Sequence, residues 1–174
     1  MTYNLHPIFV HFPIALLLFY SLLRLFPWPK KWPHFNWQIP RIYLLVAGLL
    51  GAYLANLTGG VAEDITSHHH DLLEMHEFFA GFSVNIYVIL LIAELIVLLK
   101  PEYLKKFPLH ALKPILIYLQ KIFNYKIIFI LLTVIGVVSI SVTGLLGGVM
   151  VHGLAADPLA IYVLKVLSLP LNVY

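Results

Sequence analysis

Histidine is the side chain with the most chemistry to offer in this sequence: there are nine, and there is no cysteine. Seven of the nine fall in three short stretches. HPIFVHFPIALL carries His6 and His11, HHHDLLEMHE carries His68, His69, His70 and His76, and TGLLGGVMVHG carries His152. Neutral imidazole is the usual axial ligand of haem b iron and also binds zinc and copper. Without cysteine there is no disulfide, no thiolate-ligated iron–sulfur cluster and no C-x-x-C-H attachment for covalent haem.

Depth in the apolar runs ranks these residues. His11 follows Ile8, Phe9 and Val10 and precedes IALLLFY, so it sits where a polar group needs a partner. His76 heads a polar stripe continued by Ser83, Tyr87 and Glu94 at near-heptad spacing, on one side of a helix. These two are the leading candidate iron ligands, followed by His152, His69 and His70, with the pairing left open. Gly148, one turn before His152, would let a planar macrocycle approach the backbone, whereas Gly144 is read as a helix-packing glycine. His6, His34, His68 and His110 are read as ordinary interfacial residues. A ligating imidazole needs its other ring N–H held by an acceptor, and Glu63, Asp64, Glu74 and Glu77 are nearby in sequence. The stretch HHHDLLEMHE also admits a divalent metal, because His70 and Glu74 are one helical turn apart and His69 and His76 two.

The elements that position these groups are membrane helices. Of the 174 residues 61% are hydrophobic and 11% charged, which excludes an ordinary soluble domain. A hydrocarbon core takes roughly 20 apolar residues in a helix, and four segments suffice: about 7–26, 41–58, 74–99 and 127–151. The expected fold is an all-α integral membrane protein, an antiparallel four-transmembrane-helix bundle forming a single domain over 1–174. Two short interfacial helices are expected at about 108–125 and 158–168. The first places Leu109, Leu112, Leu116, Leu119 and Phe123 on one face, with Lys113 and Lys121 between. The second starts at Asp157 and Pro158, a cap and first-turn pair.

Ten of the eleven basic residues lie on one side, in or bordering the segments after the first and third spans. By the positive-inside rule that side is cytoplasmic, and both termini face the periplasm of a prokaryotic inner membrane. Trp28, Trp32 and Trp37 all fall in the first of these loops, as interfacial anchors do. The opening apolar run lacks a basic n-region and an A-x-A-like site, and is read as the first span. The basic residues track a membrane surface, so no nucleic-acid role is invoked. G-x-S-x-G, a phosphate-binding glycine loop and paired discontinuous helices are all absent from the sequence.

HPIFVHFPIALL resembles the opening of a prokaryotic four-helix membrane family, domain of unknown function 2231. TGG at 58–60 and TGLLGGVMVHG at 143–153 are similar to that family's small-residue turn and closing motif. The resemblance covers His6, Pro7, His11, Pro13, His152 and Gly153, and implies association with c-type cytochromes and haem binding.

The expected function is a haem b membrane protein passing electrons between quinol, or another membrane redox partner, and a periplasmic cytochrome. It is expected to be an electron-transfer subunit, not an independent enzyme. One alternative is a cofactor-free structural subunit of a larger respiratory or photosynthetic complex. Another is a divalent-metal-binding membrane protein.

Overall fold

A computed structural model describes residues 6–66, 70–99 and 112–171. Among these, the secondary structure is helical throughout. The spanning helices are α1 (His6–Leu25), α3 (Gln38–Thr66), α4 (His70–Leu98) and α6 (Lys126–His152). Three short helices accompany them: α2 (Trp28–Lys31), α5 (Lys113–Phe123) and α7 (Ala160–Val166). The four long helices are each long and apolar enough to cross a membrane. The chain is thus an all-α, multi-pass membrane bundle, clad in exposed Leu, Ile, Val and Phe that face lipid.

The bundle is two antiparallel hairpins set side by side. In the first, Gly48 of α3 packs on Leu17 and Gly51 on Pro13, while Thr58 meets His6. In the second, His76 of α4 meets Thr143 of α6, Phe79 meets Ser139, and Tyr87 lies on Gly136. Contacts of α3 with α4 and of α1 with α6 close the ring, which leaves α1 and α4 diagonal to each other. One end of the bundle carries His6, His76 and His152. The other carries the tryptophans and most of the described lysines and arginines.

Local chemistry sets the boundaries. Pro13 stays inside α1 because Gly51 leaves room for its ring, and α1 ends ahead of Phe26–Pro27. Asn36 Oδ1 accepts the Gln38 N–H at 3.1 Å and starts α3. Gly153, at φ 66°, ends α6 by donating its N–H to the Val149 carbonyl. Gln120 of α5 donates to the Leu99 and Ile96 carbonyls at 2.7 and 3.3 Å, satisfying the open end of α4.

Several elements differ from the sequence expectation. The second long helix runs on to Thr66, because the TGG stretch continues the helical ladder instead of turning, while its membrane-crossing part, Gln38–Gly59, stays close to the expected 41–58. The third begins at His70. The expected 108–125 helix is seen as Lys113–Phe123, with Leu109 and His110 outside the described residues. Its Leu116, Leu119 and Phe123 are half-buried, whereas Leu112, Ile115, Ile117 and Tyr118 are exposed. The 158–168 helix shortens to Ala160–Val166. Its N-cap residue is Leu159 and not the expected Asp157, whose Oδ1 accepts the Leu159 N–H at 2.7 Å ahead of the helix. Its buried Ala160 and Leu164 pack on Leu72, Leu146 and Val149.

Candidate functional site

His76 lies in the second turn of α4, half-buried against α6. Its Nδ1 is 3.0 Å from the Thr143 main-chain oxygen. A carbonyl can only accept, so Nδ1 carries the proton and Nε2 the lone pair. The ring can approach because α6 has glycine beside it. A Cβ added to Gly147 would stand 3.2 Å from His76 Cε1 and 3.5 Å from Nδ1.

The first hairpin repeats this device. His6, the first residue of α1, has Nδ1 3.1 Å from Thr58 Oγ1. The one proton of that hydroxyl goes to the Ala55 carbonyl at 2.8 Å, so towards His6 the oxygen accepts. Nδ1 of His6 is therefore also the protonated nitrogen. Gly59 lies beside this ring, its added Cβ falling 3.5 Å from Cε1. The His6 ring also hydrogen-bonds to the Ala55 carbonyl. Each hairpin thus presents one histidine whose Nδ1 is anchored by the facing helix and whose ring rests on a glycine.

The other candidates are distributed differently. His11 is exposed, five residues after His6 and so about 140° further round α1. His70 and His152 are exposed at the start of α4 and the end of α6. His68 and His69 lie outside the described residues, as do the side chains of Glu63 and Asp64. Glu74 and Glu77 are not drawn into the site, and a backbone carbonyl anchors His76 in place of a carboxylate. His152 borders an open cleft of about 420 Å³ lined by Val149–Ala155. Gly148 packs on Ala156, whose Cβ would stand 3.6 Å from a Cβ added at the glycine, while Gly144, expected at a helix contact, has no neighbour within 4 Å of such an atom. Among the described residues no three metal-capable side chains gather.

A second polar cluster lies near the opposite end. Glu94 of α4 is only 1% exposed. Its Oε1 is 3.1 Å from Arg41 Nε and 3.5 Å from Arg24 Nη1, and Arg41 Nη2 donates to Oε2 at 3.5 Å. The Tyr20 hydroxyl donates to Oε1 at 3.5 Å, and Gln38 Nε2 donates to the Glu94 carbonyl at 3.0 Å. The Arg24 guanidinium lies 3.6 Å over the Phe129 ring. Beside it, Tyr87 and Ser21 share a 2.9 Å hydrogen bond. All four spanning helices meet here.

A carboxylate buried in an apolar bundle requires such partners. The inward stripe of Ser83, Tyr87 and Glu94 is legible in sequence, and all three are buried. The partnership with Arg24 and Arg41 is not, because both arginines read as loop residues that set orientation. The available signal is Glu94 itself, isolated in LLIAELIVLL with no cation within one helical turn in sequence.

No family model, no curated protein and no solved structure matches this chain.

Proposed function

We propose that the histidine end of the bundle binds haem b and that the protein is an electron-transfer subunit of a prokaryotic inner membrane. The observation that carries this reading is the matched anchoring of His6 and His76, each with Nδ1 held by a threonine of the facing helix. A ligating imidazole needs its other nitrogen fixed by such an outer partner. The donor set suits iron: two imidazoles on diagonal helices of a chain without cysteine.

Haem iron, when bound, supplies one-electron transfer. The remaining roles belong to the chain. Thr143 and Thr58 orient the rings, Gly147 gives the His76 ring room, and the apolar bundle excludes water. His152 and His70, exposed at the same end, are placed to face an electron partner such as a c-type cytochrome. Quinol or another membrane donor would reach the site from lipid. The basic loops favour a cytoplasmic assignment for the tryptophan end, with both termini periplasmic. Membership of the domain of unknown function 2231 family, on the motifs given above, belongs to the same proposal.

The test is a pyridine haemochrome assay on protein purified in detergent from haem-replete cells. About one haem b per chain is the expected result. Haem-free protein that still assembles with other respiratory or photosynthetic subunits would favour the structural role instead.

A further inference from the structure

The tryptophan end contains a cleft of about 370 Å³ lined by Lys31, Trp32, Pro33, His34 and Phe35. Its setting is strongly cationic. The first acidic residue in the sequence is Glu63, and Glu94, the described carboxylate that packs at this end, is engaged by Arg41 and Arg24. Lys31 and His34 are exposed at the cleft, and the Lys31 ammonium is held 5.0 Å over the Trp32 ring. The remaining lining is apolar and open, with Trp32 46% and Phe35 55% exposed. Trp32 is backed by Trp28 and Trp37, with ring centroids 5.6 and 6.1 Å away, so the wall is rigid.

We propose that this cleft holds the phosphate headgroup of an anionic phospholipid. Lys31 and His34 supply N–H donors to the phosphodiester oxygens, and Trp32 and Phe35 lie against the glycerol and upper acyl chain. Free phosphate would use the donors but leave both aromatic rings unmatched, whereas a lipid uses all four groups. The position suits this occupant, since the cleft sits just beyond the end of a membrane span, at headgroup level.

All three tryptophans of the chain belong to this loop, so their fluorescence reports directly on the cleft. The experiment reconstitutes the full chain in mixed vesicles and compares quenching by brominated phosphatidylglycerol with quenching by brominated phosphatidylcholine at 0.15 M salt, about physiological ionic strength. One lysine near the surface is worth about a fivefold preference for the anionic lipid. That preference is expected in the wild type, lost in Lys31→Gln/His34→Gln, and retained in Lys113→Gln/Lys121→Gln, which removes charge from α5 instead. Equal loss in both double variants would mean diffuse surface attraction and would overturn the site. So would the absence of any preference in the wild type. Relief of quenching by millimolar inorganic phosphate would reassign the cleft to the free anion.

Discussion

His76 Nδ1 stands 3.0 Å from the main-chain oxygen of Thr143, and that bond determines which ring nitrogen keeps its lone pair. At His6 the partner of Nδ1 is a different acceptor, the Thr58 hydroxyl. One anchor is backbone and the other side chain, so the two respond differently to mutation.

Thr58→Val removes the hydroxyl acceptor and loosens the His6 ring. Loss of such an outer partner costs roughly 10–100-fold in metal affinity, so haem retention during dilution should fall by that order. Thr58→Ser should restore it. Thr143→Val should leave haem retention close to wild type, because the carbonyl that anchors His76 survives the change. Haem dissociation rates measured by transfer to an excess acceptor protein check all three.

The glycines divide into those that face a neighbour and those that do not. A Cβ at Gly48 would stand 2.6 Å from Leu17 Cδ2, so Gly48→Val should destabilise the first hairpin by about 1–3 kcal/mol through overpacking. Gly81 and Gly144 meet nothing within 4 Å. Alanine at either should stabilise by about 0.5–1 kcal/mol through helix propensity alone. SDS-unfolding titrations in mixed micelles would show the opposite signs.

The Arg24–Glu94–Arg41 cluster should behave as a unit. Arg41→Met leaves Glu94 short of its nearest cation at 3.1 Å, and breaking a buried pair in this way costs about 3–5 kcal/mol. Replacing all three with Met, Leu and Met removes the desolvation cost along with the attraction and should be nearly neutral. Comparing the unfolding midpoints of the single and triple variants tests whether the cluster is coupled.

The bundle is legible in the sequence because four long apolar runs leave no other way to satisfy the backbone in lipid. So is the inward stripe on α4, since periodicity alone places Ser83, Tyr87 and Glu94 on one side. Pairings between distant helices are not. Thr58 and His6 are 52 residues apart, and Arg41 and Glu94 are 53 apart, so no local pattern links them. Depth favours His11 over His6, but helix phase governs which ring points inward. The five-residue offset between them puts His6, the shallower residue, beside α3 and leaves His11 exposed. Spacing from His152 singles out Gly148 and misses Gly147, because the face of α6 that receives His76 depends on how the two helices pack.

The haem assignment rests on His6 and His76 as the iron ligands. Its most direct test is the haem-to-protein ratio of His6→Ala, His11→Ala and His76→Ala purified alongside the wild type. The predicted result is a wild-type ratio in His11→Ala, with loss of haem from His6→Ala and His76→Ala while all three remain folded. Haem lost from His11→Ala but kept in His6→Ala, or a wild-type protein that takes up no haem, would contradict it.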